Sequence, residues 1–210
     1  DAIKQGNTLV EDLYGDQTFD YVLSNPPFGK DWEADEKAVK EQAKVQGSRF
    51  SHGLPSTSDG QMLFLAHCAS KLSPAAKNGQ GGRAAVVSNQ SPLFNSDNGP
   101  NSIRQWLLEE DLIDAVVALP TSMFYGTGIA TYVWILDTNK DPERKGKIQL
   151  IDGSGQWDSL RKPMGDKRRE MGKSHRETLL EAYKAFDQAD PAISRVMTPD
   201  DFMFRDVPVY

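Results

Sequence analysis

Four consecutive residues, Asn25-Pro26-Pro27-Phe28, are suited to holding a flat ring that carries an exocyclic amine. Asn25 offers a side-chain carbonyl, and Pro26 offers a backbone carbonyl beside a nitrogen that has no hydrogen to donate. Phe28 offers a face on which a ring can stack. Because two carbonyl acceptors on one NH2 group draw its lone pair out of conjugation, such an amine can attack a methyl group. The pattern therefore indicates amino-group methylation, and a loop made rigid by two prolines is the alternative interpretation.

The elements that would position this motif can be predicted from apolar spacing. A short apolar run at residues 19–24 predicts a buried strand that ends at Asn25. Later apolar runs predict strands over residues 83–88, 112–119, 129–136 and 147–151. Apolar residues at helical spacing predict helices over residues 61–72 and 102–110. Strands that alternate with helices indicate an α/β fold, with the second half of a doubly wound sheet present.

Two polar regions flank these elements. Residues 29–60 are polar and punctuated by glycines, which predicts a long loop that is functional or mobile. Residues 160–187 predict one or two charged helices, and residues 193–210 predict a short terminal segment. The charged region contains a basic run, Arg161, Lys162, Lys167, Arg168, Arg169, Lys173 and Arg176. The run is either a contact for a DNA backbone or, as is commoner, a solvated helix face.

Composition limits the classes of function. The net charge of -6 argues against this chain alone being a strong nucleic-acid binder. The sequence shows neither a membrane-spanning stretch nor a signal peptide, and Cys68 as the single cysteine excludes internal disulfides. These features favour a cytoplasmic protein. The three histidines have no metal-ligand spacing, so the sequence predicts no metal site.

A wider set of short motifs occurs in the order seen in one protein family. The set comprises Gly6-Asn7-Thr8-Leu9, residues 19–29, Arg49-Phe50, Phe64-Leu65-Ala66-His67, residues 82–87, Leu119-Pro120 and residues 124–129. In this order the motifs resemble the methylase (modification) subunit of type I restriction-modification systems, an N6-adenine DNA methyltransferase. The resemblance covers residues 6–205, which is nearly all of the chain.

The resemblance implies roles for individual residues. The tetrapeptide from Asn25 matches the catalytic motif, and Phe28 and Phe124 match aromatic side chains that pack against the substrate adenine. Asn7 and Asn25 match positions beside S-adenosyl-L-methionine, the methyl donor. The helix over residues 61–72 matches the element that closes one side of the methyl-donor pocket.

The resemblance also implies an architecture. It implies the second half of a Rossmann-like, S-adenosylmethionine-dependent methyltransferase sheet, mixed with a late antiparallel strand. Residues 1–155 would form the carboxyl-terminal half of the catalytic domain, and residues 156–210 a charged helical extension with a short terminal strand. The glycine-rich cofactor motif of the family is absent, and the chain opens at Asp1 without a methionine. We therefore expect an excised fragment whose cofactor site is incomplete and which alone is inactive.

Partners follow from the same resemblance. The substrate would be double-stranded DNA with a flipped adenine, and residues 29–60 would be mobile without DNA and close over that base. A separate DNA-specificity subunit would read the target sequence, and a restriction subunit would complete the complex. Two alternatives stay open. One is an amino-methyltransferase that acts on RNA or on a protein glutamine, and the other is an interaction fragment that catalyses nothing as isolated.

Overall fold

The computed structural model of the protein describes residues 3–75 and 80–202. The described chain divides into two compact units. The first unit runs to Leu112 and includes Leu136–Asn139, whereas the second comprises Ile113–Ile135 and resumes at Lys140. The expected domain boundary after residue 155 lies inside the second unit and stays a prediction.

Parallel strands and their crossover build the first unit. Strands β1 (Tyr21–Ser24) and β2 (Arg83–Asn89) pair in parallel. Parallel neighbours need a long connection, and this one carries the helices α1 (Glu36–Ala43) and α2 (Gln61–Ser70). The predictions of a strand over residues 83–88 and of a helix over 61–72 are therefore confirmed, with α2 ending two residues early.

The prediction that β1 is a buried strand is wrong. Tyr21 and Leu23 are 77% and 83% exposed, while Val22 and Ser24 are half-buried. Because successive side chains of a strand point to opposite faces, an apolar run can bury one face and expose the other. The apolar run at residues 19–24 therefore indicated the strand correctly, but it did not indicate that the Tyr21 and Leu23 side chains are exposed.

Helices follow β2 in the first unit. They are α3 (Ser91–Phe94) and α4 (Asn98–Glu109), and α4 confirms the helix predicted over residues 102–110. Ile103 and Leu107 lie four residues apart in α4 and are fully buried, which is the stripe that holds an amphipathic helix on its unit. None of the helices in the described ranges is long and apolar enough to cross a membrane.

Residues 29–60, predicted as a polar loop, form a packed insertion. The insertion contains α1 and shares a hydrophobic cluster whose buried members are Leu9, Trp32, Val39, Phe50 and Leu63. The indole N–H of Trp32 donates to the Ser56 carbonyl at 2.9 Å. The Gly60 N–H donates to the Lys30 carbonyl at 2.9 Å, which closes the insertion at its base. The prediction of a continuous loop is therefore wrong for Glu36–Ala43, and the functional or mobile character of the segment stays a prediction.

The second unit has a mixed sheet and a separate hairpin. Its strands are β3 (Ile113–Leu119), β4 (Thr131–Asp137), β5 (Ile148–Asp152), β6 (Asp158–Met164), β7 (Lys167–Glu170) and β8 (Ser194–Met197). Strands β4, β3, β5 and β8 are neighbours in that order, although the last two residues of β4 belong to the first unit. β5 is parallel to β3, and β8 is antiparallel to β5. The predicted α/β class and the late antiparallel strand are confirmed.

The prediction of charged helices over residues 160–187 is wrong for its first part. β6 and β7 form an antiparallel two-stranded hairpin there, with Met164 paired to Lys167. Gly165 in its turn has φ +61°, a left-handed conformation that glycine adopts without steric cost. Pro163 and Gly165 also disfavour a continuous helix. The helical part begins later, as α5 (Lys173–Ala185).

Helix α5 packs on its own unit through apolar and ionic contacts. Leu179 and Ala182 form a hydrophobic cluster with Ile151 of β5. Beneath the helix, the buried Arg144 guanidinium donates to both carboxylate oxygens of Asp114, at 2.7 and 3.2 Å. A buried charge pair with this bidentate geometry satisfies both partners, so its role is structural.

Candidate active site

The catalytic-motif candidates lie directly after the last residue of β1. Asn25 is exposed and Pro26 is buried. Among the described residues, no side chain or backbone group donates a hydrogen bond to the Asn25 amide oxygen or to the Pro26 carbonyl. Two carbonyl acceptors that follow each other in the chain therefore have no donor within residues 3–75 and 80–202, and they can accept hydrogen bonds from a bound amine.

A tight turn ends the motif. Phe28 is half-buried, and Gly29 has φ +61° with open space around the position of a Cβ. The left-handed conformation favours glycine at this point and turns the chain sharply into the insertion. Phe28 lies two residues after Pro26, and the turn begins directly after it.

A cavity of about 260 Å³ adjoins the motif within the first unit. Its lining residues are Thr8, Val22, Leu23, Ser24, Pro26, Phe64, His67, Cys68 and Lys71. Four of these belong to α2 or directly follow it, so this helix closes one side of the cavity. The lining combines an aromatic face and apolar groups with hydroxyls.

The charged groups beside the cavity are paired with one another. The Arg49 guanidinium lies 2.9 Å from His67 Nδ1 and also donates to the Gln42 side chain. Burial, and then the positive charge of Arg49, lowers the pKa of His67 to about 4. Lys71 forms an ion pair with Asp12. His67 is thus neutral near pH 7, and the cation of Lys71 already has a carboxylate partner.

Cys68 is a packed residue rather than a nucleophile. Its side chain is 5% exposed, and burial raises the pKa of the thiol to about 11, against a hydrogen bond with Ser24 that lowers it. Because the thiolate is the reactive form, a thiol with this pKa is inert near neutral pH.

Asn7, predicted to lie beside the cofactor, does not line the cavity. Its amide NH2 lies 3.0 Å from each carboxylate oxygen of Asp35, and its side-chain oxygen accepts the Leu9 N–H at 3.1 Å. Its neighbour Thr8 does line the cavity. The cofactor role of Asn7 stays a prediction, and in this structure its side chain organises the turn that presents Thr8.

Phe124 lies in the second unit, on the loop between β3 and β4. The ring is half-buried, and Phe124 forms an isolated antiparallel bridge with Thr127. Ser122 in the same loop has φ +57°, an unusual conformation for a residue with a Cβ. Phe28 and Phe124 belong to different units, so their joint action on one base stays a prediction.

Sequence reasoning missed several residues at the cavity. Thr8 and Ser24 lie inside matched motifs in which no role was assigned to them, Lys71 lies in none, and only the folded unit brings the three together. One pattern pointed to Ser24, since it immediately precedes the motif at the strand end. For metals, the described residues contain no group of three His, Cys, Asp or Glu side chains that could hold an ion.

Comparison with known proteins places the chain among DNA methylases. The sequence profile of the N-6 DNA Methylase family matches residues 1–207. The chain is 33% identical over 141 residues to the type I restriction enzyme MpnII methylase subunit of Mycoplasma pneumoniae, which covers 66% of this chain. It is 34% identical over 133 residues to the EcoKI methylase subunit of Escherichia coli K12, which covers 63% of this chain.

A solved structure shows the same relationship. The type I restriction-modification methyltransferase subunit from Streptococcus thermophilus superposes with a TM-score of 0.74 at 30% identity, covering 91% of this chain and 37% of that one. The chain spans 24% of the MpnII subunit and 21% of the EcoKI subunit. Since the family profile matches nearly the whole sequence, this chain belongs to the N-6 DNA Methylase family.

Proposed function

We propose that the chain carries the catalytic motif of an adenine-N6 DNA methyltransferase that uses S-adenosylmethionine. The observation that carries this proposal is the pair of acceptors at the end of β1, since neither the Asn25 amide oxygen nor the Pro26 carbonyl receives a hydrogen bond from a described residue. Family membership supports the reaction class. Bases inside a duplex cannot be reached, so the target adenine would be flipped out of the helix.

The chemistry of the motif is positioning. An asparagine amide does not accept a proton near neutral pH, so Asn25 cannot be a general base. Its oxygen and the Pro26 carbonyl would accept hydrogen bonds from the adenine amine and hold its lone pair toward the methyl donor. Such preorganised polar groups act where charge develops in the transition state. Phe28 would cover one face of the ring.

The cavity beside the motif fits an uncharged, partly aromatic portion of the cofactor. Phe64 offers a ring face, and Thr8 and Ser24 offer hydroxyls, so these residues would hold that portion. When bound, S-adenosylmethionine supplies an electrophilic methyl group. At about 260 Å³ the cavity is smaller than most ligand pockets, which measure roughly 300–1,000 Å³. The described residues therefore offer a partial site.

The proposal includes a type I assembly. The similar proteins are named as methylase subunits of type I restriction enzymes. We infer double-stranded DNA as substrate, a specificity subunit that reads the target sequence, and a restriction subunit as a further partner. The acidic net charge of -6 supports a division in which another subunit supplies much of the DNA contact.

Substitution of Asn25 tests the proposal. In the natural full-length protein, Asn25→Ala should lower the methyl-transfer rate to duplex DNA by about a hundredfold or more, because one preorganised acceptor is lost. Asn98→Ala removes an exposed asparagine side chain at the start of α4 and should leave the rate unchanged. Transfer of a radiolabelled methyl group is measured, with circular dichroism to confirm folding. Normal transfer by Asn25→Ala would refute the assignment.

The acceptor class is tested in the same assay. Duplex DNA, single-stranded RNA and a glutamine-containing protein substrate are offered in parallel to the unsubstituted protein. The proposal expects label in N6-methyladenine of the DNA. Label confined to RNA or to a glutamine side chain would replace the DNA substrate by one of the two alternatives.

A further inference from the structure

The β6–β7 hairpin presents three cations that have no acidic partner in the described part of the chain. Arg161, Lys162 and Arg168 are exposed. Their side chains make no hydrogen bond or ion pair with any residue that the structure describes. Two exposed lysines on α5 of the same unit are paired with acids, Lys173 with Glu177 and Lys184 with Glu181, whereas Lys145 is exposed without such a partner among the described residues. What the hairpin adds is that three cations, unpaired within the described ranges, lie on one short two-stranded element.

The hairpin is attached to the loop that carries Phe124. The Asp166 N–H donates to the Tyr125 carbonyl at 3.0 Å. The Arg168 N–H donates to the Ser122 carbonyl, also at 3.0 Å. A Cβ on Gly165 would lie 2.7 Å from the Tyr125 oxygen, so the turn approaches this loop as closely as a glycine allows. These contacts flank Phe124 on both sides in sequence.

Other basic side chains of the hairpin serve as anchors. The Arg169 guanidinium stacks 3.9 Å from the centre of the Trp157 ring and donates to the Thr121 hydroxyl at 2.8 Å. The Lys167 ammonium lies 5.9 Å from the centre of the Tyr125 ring. The basic residues thus divide into two that hold the hairpin on the loop and three that extend into solvent.

We propose that the β6–β7 hairpin binds the phosphate backbone of double-stranded DNA through Arg161, Lys162 and Arg168, next to the loop that presents Phe124. This inference rests on the proposed DNA substrate and deepens it. Phosphate contacts position a protein on a duplex without reading its sequence. A hairpin that holds both the backbone contacts and the Phe124 loop would couple docking on DNA to the presentation of that aromatic ring.

The local charge favours phosphate over an acidic protein surface. Asp166 and Glu170 also lie on the hairpin and are exposed, so they offset part of its positive charge toward any anionic partner. A duplex offers separate, regularly spaced phosphates that three cations can reach individually. Counterion release then makes the binding strongly dependent on salt, which gives the experiment its readout.

The test compares two triple variants of the natural full-length protein, purified with any subunits that accompany it. One is Arg161→Gln/Lys162→Gln/Arg168→Gln. The matched control is Lys145→Gln/Lys173→Gln/Lys184→Gln, which removes the same charge from exposed positions of the same unit. Binding to a fluorescent 30-base-pair duplex is measured by anisotropy over a range of salt concentrations. Each lost phosphate contact should reduce the slope of log K against log salt by about 0.9.

The expected result is a slope reduced by roughly 2.7 in the hairpin variant and by less than 1 in the control. Equal slopes in the two variants would overturn the proposal, as would absence of duplex binding by the unsubstituted protein. Methyl transfer is followed on the same preparations. If the unsubstituted protein transfers no methyl group to DNA while the salt slopes of the two variants differ, the proposed reaction is wrong and the hairpin contact stands. If the unsubstituted protein methylates DNA while the two variants have equal slopes, the proposed reaction stands and the hairpin contact is wrong.

Discussion

At the scale of single residues, the proposed reaction depends on two aromatic side chains as well as two carbonyls. Asn25 and Pro26 would bind one edge of an adenine, which leaves both faces of the ring without the neighbours it had in the duplex. Aromatic stacking replaces such contacts at about 1–3 kcal/mol per base. Phe28 and Phe124 are half-buried, so each ring keeps an accessible surface. We expect Phe28 to contribute more to stacking than Phe124, because Phe28 lies only two residues after Pro26 in the sequence.

We predict that Phe28→Ala and Phe124→Ala each slow methylation, with Phe28→Ala the more damaging. A target strand with 2-aminopurine at the methylated position reports base extrusion by its fluorescence, and Trp at either site should retain part of the signal. Phe94→Ala, which truncates an aromatic ring that is 70% exposed, is the control. Should Phe124→Ala leave both fluorescence and rate unchanged, Phe124 is a packing residue and the stacking role is wrong.

A second residue-scale prediction concerns His67 and acid. Burial and the Arg49 charge lower the pKa of His67 from 6.5 to about 4 in the folded protein. The unfolded chain therefore takes up a proton first as the pH falls. The contribution of His67 to stability is complete above pH 6.5 and is lost progressively down to about pH 4. The loss amounts to at most about 3 kcal/mol.

Urea denaturation at pH 7.0 and pH 4.5 measures this effect. His67→Gln keeps a polar partner for Arg49 but cannot titrate, so its midpoint should fall less between the two pH values. Asn98→Ala, at an exposed position of α4 that does not titrate, is the control and should behave like the unsubstituted protein. An equal fall in the midpoints of His67→Gln and the unsubstituted protein would show that another group causes the acid sensitivity.

At the scale of elements, the insertion is held against α4 by a close approach of two glycines. A Cβ on Gly99 would lie 1.8 Å from the Leu54 carbonyl oxygen, and one on Gly53 would lie 2.6 Å from the Gly99 oxygen. Beside them, the His52 and Trp106 rings stack with centres 3.9 Å apart and planes at 9°. The insertion therefore packs on its unit in this structure, and its expected mobility without DNA stays a prediction.

Gly99→Ala tests this docking. Alanine in a helix normally stabilises by about 0.5–1 kcal/mol relative to glycine. Here we predict destabilisation instead, by roughly 1–3 kcal/mol, because the new methyl group overlaps the Leu54 carbonyl. Hydrogen exchange should accelerate in residues 50–56. Gly155→Ala has open space around its Cβ and is the control. Stabilisation by Gly99→Ala would show that the close contact is absent in solution.

The elements also show what sequence patterns can and cannot predict. Strand β2 and helix α2 were predictable within about two residues, because their buried positions recur with a regular period. The insertion was missed because Trp32, Val39 and Phe50 are buried but far apart in sequence. The β6–β7 hairpin was missed because its strands expose polar side chains and bury almost nothing. Short polar strands leave no hydrophobic period to detect.

The candidate site was predictable to a similar extent. The residue types and order from Asn25 to Phe28 indicated the chemistry, and the apolar run before them indicated the strand end. Thr8 and Lys71 could not be assigned, since their approach to Pro26 depends on tertiary packing. The pairing of Asn7 with Asp35 likewise joins residues that no local pattern relates.

At the scale of the whole molecule, charge decides which ligands the chain can hold. The chain has a net charge of -6, yet none of the described residues that line the cavity carries a carboxylate, and the one lysine in this lining, Lys71, is already paired with Asp12. S-adenosylmethionine carries a sulfonium and an ammonium group, and neither finds an anionic partner in this lining. The negative net charge of the chain therefore does not provide an anionic partner for the cofactor's positive groups at this cavity.

We predict that this 210-residue chain binds S-adenosylmethionine no more tightly than about 1 mM, equivalent to about 4 kcal/mol. S-adenosylhomocysteine lacks the sulfonium charge and should bind at least as well, because the cavity fits only uncharged groups. Titration calorimetry with both ligands measures this. Phe64→Ala removes the aromatic face and should weaken any binding of S-adenosylhomocysteine, whereas Phe94→Ala should not. Micromolar affinity for S-adenosylmethionine would show that the cavity beside Pro26 is not where the cofactor binds.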